Sequence, residues 1–131
     1  MTDNWLPRSG PMPRPQSTLE ARDALSREAF QAPEKIQEIT FSTDEFTSFC
    51  PRSGQPDYSS VTVTYCPREK CLESKSLKFY FWAFRNEGAF CETLAAKIAN
   101  DIVFAISPEW ISVTVEQKPR GGLRLSTTVL R

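Results

Sequence analysis

Glu73-Ser74-Lys75-Ser76-Leu77-Lys78-Phe79-Tyr80-Phe81-Trp82 is the segment in which the periodicity of the chain changes. Upstream, Ile39 and Phe41 alternate with Glu38, Thr40 and Ser42, and Val61, Val63 and Tyr65 form a second alternation, the pattern of half-buried strands. From Leu77 the apolar residues recur at three and four through Tyr80, Phe81 and Phe84. They then recur every four through Phe90, Leu94, Ile98, Ile102 and Ile106. This spacing predicts two consecutive helices, broken near Asn86 to Gly88, with Pro108 ending the second. Alternation returns at Ile111, Val113 and Val115 and, past the Pro119-Arg120-Gly121-Gly122 turn, at Leu123, Leu125, Thr127 and Val129. The order β-β-α-α-β-β predicts an α+β fold, an antiparallel four-stranded sheet with two helices on one face. Such a sheet has two edges of unpaired backbone groups, which predicts association through them.

A chain of 131 residues suits one domain. Residues 1–33 hold five prolines and few large apolar side chains, so a flexible arm is expected there, with Ser17 to Phe30 helical only transiently. Residues 34–131 are expected to form the domain. Sixteen basic and sixteen acidic residues cancel, which removes the electrostatic footprint of a general nucleic-acid binder. No apolar run is long enough for a bilayer, and the start lacks the features of a signal peptide, so a cytoplasmic protein without a membrane partner is expected. The absence of histidine excludes Ser/His and Cys/His nucleophile pairs within one chain. Acid-base work then falls to Asp, Glu, Lys, Tyr or Cys. Four cysteines in such a chain are expected to be reduced, and the Cys66/Cys71 spacing is a weak metal signal; no metal is expected.

Cys50-Pro51-Arg52-Ser53-Gly54-Gln55-Pro56-Asp57 reads as a compact turn between two strands. Cys50 stands at its entrance beside Arg52, whose charge favours a thiolate, and the turn brings the Asp57 carboxyl back towards the sulfur. The pair supplies a nucleophile and a proton source. On spacing alone a free cysteine is more often a small buried hydrophobe, and an aspartate after proline a turn cap. Glu73 and Ser74 open the first helix, where capping is their ordinary role, and Lys75 and Lys78 read equally as solvated helix charges.

Together with Phe49-Cys50-Pro51, Gln55-Pro56-Asp57 and Arg85-Asn86-Glu87-Gly88-Ala89-Phe90-Cys91-Glu92, the opening segment resembles the signature of the QueF family. Its members are NADPH-dependent 7-cyano-7-deazaguanine reductases of the queuosine pathway of tRNA modification. Four motifs in order cover about Ile36 to Gly122. The resemblance implies a tunnelling fold, in which sheets join edge to edge into a ring and short members stack as two pentamers. It implies reduction of the nitrile to 7-aminomethyl-7-deazaguanine, with two NADPH per turnover. Cys50 takes the role of nucleophile, forming a thioimidate, and Asp57 that of proton donor. Leu72, Glu73 and Ser74 are implied to contact the base, and Cys91 and Glu92 to close over it. Glu92 suits the guanine-like edge, since a carboxylate accepts from both N1–H and the exocyclic amine. No Gly-x-Gly-x-x-Gly fingerprint is present, so Lys75, Lys78 and Arg120 are the candidates for the cofactor phosphates. One departure stands out: many members have His-Glu where this chain has Cys91-Glu92, which removes an imidazole from the site. The alternatives are a relative that uses the same thioimidate as an amidinotransferase on tRNA, and a non-catalytic cysteine-rich binding or redox module.

Overall fold

The computed structural model describes residues 6–7 and 9–131. The elements run α1 (Thr18–Glu28), β1 (Phe30–Gln31), β2 (Ile39–Phe49), β3 (Pro56–Cys66), β4 (Lys70–Cys71), α2 (Ser74–Trp82), α3 (Cys91–Ile106), β5 (Trp110–Arg120) and β6 (Leu123–Leu130). A 3-10 turn, Ala83–Asn86, extends α2. The four long strands form one antiparallel sheet in the order β2-β3-β5-β6, as the alternation predicts, and β1 pairs with β4 beside it.

Every second residue of β3 from Asp57 to Tyr65 is buried. Val61, Val63 and Tyr65 pair with Val115, Val113 and Ile111 of β5, which places six apolar side chains on the face that the helices cover. Against them α3 lays Leu94, Ala95, Ile98, Ala99 and Ile102, the three-and-four spacing read from the sequence. It ends where Ser107 turns left-handed (φ 44°) and returns its N–H to the Val103 carbonyl, just before Pro108.

One irregularity places the site. Between the pairs Thr43↔Val61 and Phe46↔Ser59, β2 carries two residues, Asp44 and Glu45, opposite one residue of β3. This bulge inverts the alternation, so Phe46 and Ser48 face the helices although Thr40 and Ser42 upstream do not. Phe46 thereby joins Phe81 and Phe84, at ring centroid separations of 5.6 and 5.3 Å. Ser48 comes to lie opposite Asp57.

The helix layer holds one member more than expected. Ser17 caps α1 by accepting from the Glu20 N–H at 3.0 Å, and Ala21, Ala24 and Leu25 are fully buried against α2 and α3. The flexible arm expected over 1–33 is thus a packed helix from Thr18 to Glu28; residues 1–5 and 8 of that arm lie outside the described residues. Small apolar residues at i, i+3 and i+4 suffice to dock a helix closely even where large ones are lacking. Arg22 of α1 lies over the Phe104 ring at 3.9 Å. In the same layer Tyr80 donates to Asp101 at 2.6 Å, and Lys97 pairs with Asp101 at 3.4 Å. Burial and the Asp101 charge push the Tyr80 hydroxyl well above its ordinary value.

Candidate active site

At the end of β2 the hairpin pairing continues into the turn: Cys50 N–H donates to the Gln55 carbonyl and Gly54 N–H to the Cys50 carbonyl, both at 2.9 Å. Gly54 takes the left-handed conformation (φ 73°) that closes this short loop. The thiol is pulled down to about 7, first by the Ser53 hydroxyl, then by the backbone N–H groups of Ser53 and Arg52, with a smaller contribution from the Arg120 side chain. The sequence points to the charge of Arg52 as the cause. Its guanidinium instead stands 6.0 Å over the Phe90 ring, and its backbone acts on the sulfur. Phe49, one residue before the cysteine, is held by Glu87 and Ala89 on its exposed side: its N–H donates to the Glu87 carbonyl and its carbonyl accepts from the Ala89 N–H.

Asp57 is 4% exposed and paired with Arg120, Nη1 to Oδ1 at 2.9 Å. Arg120, read from the sequence as a cofactor residue, is thus brought to the carboxylate and thiol of the candidate catalytic pair. Cys91, at the start of α3, donates to the Val115 carbonyl at 3.3 Å. Burial raises its pKa, and the Glu92 and Asp57 charges add to the rise, so it sits beside the same carboxylate as a protonated thiol. Glu92 is exposed in the first turn of α3, where the helix N-terminus favours its charge. Two residues were missed by the sequence reading. The Ser48 and Ser59 hydroxyls are buried with no partner among the described residues, on the same sheet face as Asp57. Their signal was a small polar residue at an inward position of an alternating strand.

The remaining predicted residues lie elsewhere. Leu72 is buried and its N–H donates to the Tyr65 hydroxyl at 2.9 Å, at the far end of β3 from Asp57. Eight residues of strand separate Tyr65 from Asp57, about 26 Å. The Glu73 carboxylate caps α2, accepting from Lys75 N–H at 2.9 Å and Ser76 N–H at 2.7 Å. Lys75 donates its ammonium to the Pro7 carbonyl. Ser74 and Lys78 line a groove of about 470 Å³ between α2 and the edge strand β2, with Phe46, Trp82 and Arg85. The structure therefore brings together Cys50, Asp57, Cys91 and Arg120 at one end, and Leu72, Glu73, Ser74 and Lys75 at the other. No cluster of metal-ligating side chains occurs among the described residues.

A helix-backed antiparallel sheet in the order β2-β3-β5-β6 defines the class as a tunnelling-type α+β protein. The crystal structure of the archaeosine synthase QueF-Like in the apo form shares this fold, with a TM-score of 0.69 and 24% identity over 74% of this chain and 95% of that one. The family model described as QueF-like protein matches residues 56–131. An NADPH-dependent 7-cyano-7-deazaguanine reductase of Anaeromyxobacter sp. (strain Fw109-5) is 45% identical over 73% of this chain and 79% of its own length. The enzyme of that name from Syntrophus aciditrophicus (strain SB) is 41% identical over 82% and 78%. The chain belongs to the QueF-like protein family.

Proposed function

We propose that the chain is an oxidoreductase that reduces the nitrile of 7-cyano-7-deazaguanine to the aminomethyl group of 7-aminomethyl-7-deazaguanine, in cytoplasmic queuosine formation. The observation that carries this reading is the Cys50 thiol, pulled down to about 7 at the mouth of a rigid turn on the side of Asp57. A nitrile carbon resists hydride until a nucleophile adds to it. The Cys50 thiolate forms a C–S bond, one π bond of the C≡N group opens, and the nitrogen takes a proton from Asp57, leaving a thioimidate. Asp57 receives that proton from the Cys50 thiol, so the carboxylate ends the step as it began, and the one proton given up by the pair is the one the nitrogen gains. NADPH supplies the two hydrides that complete the reduction. Cys91 fills the histidine position as a buried thiol, which leaves the proton path to Asp57 alone.

Glu92, with no side-chain hydrogen bond or ion pair of its own among the described residues, is the proposed acceptor for the N1–H and amine edge of the base. Leu72, Glu73 and Ser74 contribute the second wall; since the Glu73 carboxylate caps α2, its part falls to the backbone. Lys78 fits the cofactor phosphates, because it lines the same groove as the cationic Arg85 and the flat surface of Trp82. Lys75 joins it once released from Pro7. A single chain holds Cys50 and Asp57 at one end of its sheet and Leu72 and its neighbour Glu73 at the other, so we propose that each site is shared between copies joined through the β2 and β6 edges into a ring of the stacked-pentamer type. The folded unit then comprises residues 34–131 with α1 docked upon it.

The test is intact-mass spectrometry with 7-cyano-7-deazaguanine in the absence of NADPH. The wild type gains one substrate mass and Cys50→Ala gains none; an equal adduct on both sinks the assignment. NADPH absorbance then follows turnover, and steady absorbance with an intact adduct would point to the amidine-forming class.

A further inference from the structure

The contact between Arg120 and Asp57 goes beyond the cofactor role that the sequence implied. Arg120 lies where β5 departs from regular pairing: the register shifts between Gln117 and Arg120, and Gly121 and Gly122 follow with φ of 60° and 78°. The hairpin end is thereby turned so that the guanidinium reaches across to β3 and meets the nearly buried Asp57 carboxylate at 2.9 Å. We propose that Arg120 is a positioning residue for the reacting pair, holding the Asp57 carboxylate in place while lending its positive charge to the Cys50 thiolate. This inference deepens the reductase reading and rests on it for the identity of the pair.

The physical argument concerns charge balance. A thiolate and a carboxylate at one site repel each other, and each raises the other's proton affinity. One guanidinium set between them offsets both and keeps five donors in a fixed plane. The charged groups that act on Cys50 are Arg52 on its own turn, through its backbone, and Arg120 on β5; Arg120 in turn pairs with Asp57 on β3, whose charge, with that of Glu92, acts on Cys91 at the start of α3. Of the two arginines, Arg52 is directed to Phe90, and the Arg120 side chain is the one that acts on the sulfur. Removing it leaves Asp57 uncompensated beside the thiol, so the loss acts twice on Cys50. Because Arg120 is about half exposed, its substitution removes no core packing.

The experiment is alkylation of Cys50 by iodoacetamide against pH, followed at the Cys50 peptide by mass spectrometry. It needs neither substrate nor NADPH, so it is read independently of whether the chain is a reductase. Arg120→Ala is expected to raise the midpoint, by less than loss of the Ser53 hydroxyl does, with Arg120→Lys in between. Adding Asp57→Asn to Arg120→Ala is expected to return the midpoint part of the way, because the uncompensated charge is gone. Profiles of Arg120→Ala that superimpose on wild type overturn the proposal, whatever happens to the KM for NADPH. A rise that Asp57→Asn leaves unchanged overturns the coupling between the two residues.

Discussion

Gly88 lies against the ring of Phe49 so closely that a Cβ built on it would stand 2.6 Å from Cε1 and 3.1 Å from Cζ. The two residues also form a parallel bridge, so neither backbone can move away without opening the pairing that holds the entrance to the Cys50 turn. Gly88→Ala is therefore expected to destabilise the fold by about 1–3 kcal/mol and to lower turnover through displacement of Cys50. Urea unfolding and single-turnover rates measure the two effects. Phe49→Leu in the same chain should recover much of both, and a Gly88→Ala protein indistinguishable from wild type would remove this contact from the account of the site.

The state of the Cys50 thiol sets a pH limb. Below about 7 the sulfur keeps its proton and does not attack; above it the thiolate prevails, so adduct formation with the nitrile should rise through that midpoint as pH increases. Ser53→Ala removes the strongest contribution and should move the midpoint up, towards the usual thiol value of about 8.5. An unmoved midpoint would mean that the turn does not stabilise the thiolate through Ser53.

The Tyr80–Asp101 bond joins α2 to α3 inside the helix layer. Tyr80→Phe leaves a nearly buried carboxylate with Lys97 as its remaining partner, and is expected to cost about 1–3 kcal/mol in urea unfolding. A change below the error of that measurement would show that solvent reaches Asp101 and replaces the phenol.

Removal of residues 1–33 should not leave a tidy domain. It uncovers the helix surfaces on which Ala21, Ala24 and Leu25 are buried, so the expected product is insoluble or loosely packed, seen by dye binding to exposed apolar surface. The milder Ser17→Ala should cost about 1 kcal/mol through loss of the α1 cap. A well-folded 34–131 fragment with wild-type stability would show that α1 is dispensable.

Two inactive variants should rescue each other if the site is shared between copies. Cys50→Ala lacks the nucleophile and Lys78→Ala the proposed cofactor contact; Cys50 stands at the turn after β2, whereas Lys78 lines the α2 groove with Ser74. Unfolding the two together and refolding them as mixed oligomers is expected to restore part of the NADPH oxidation that neither shows alone. Mixtures as inactive as their parents would confine each site to one subunit.

The sheet and the two long helices were legible because burial imposes a period, and Val61 to Tyr65 or Leu94 to Ile106 carry it without interruption. Helix α1 was legible as a transient helix over Ser17 to Phe30, but its docking was not, since the nearby prolines dominate the composition and two of its three buried residues are alanines; the Ser17-x-x-Glu20 spacing was the plain mark of its start. That Cys50 and Asp57 stand at the same end of the β2–β3 hairpin was readable from the turn that joins them; their proposed roles came from the family resemblance. Arg120 was not readable as their neighbour, because the contact depends on where a distant hairpin ends. The N-cap reading of Glu73 needed only local spacing, and its geometry follows that reading.

The bulge at Asp44 and Glu45 is an insertion that the ladder absorbs: with one of the two removed, Thr43 and Phe46 would stand two residues apart opposite Val61 and Ser59, and regular alternation would still turn Phe46 and Ser48 to the helix side. A single-codon deletion there is therefore expected to straighten β2 locally while leaving its faces as they are. The same deletion at Thr47 would put Phe46 and Ser48 on opposite faces, so length is constrained between these two residues and slack just before them.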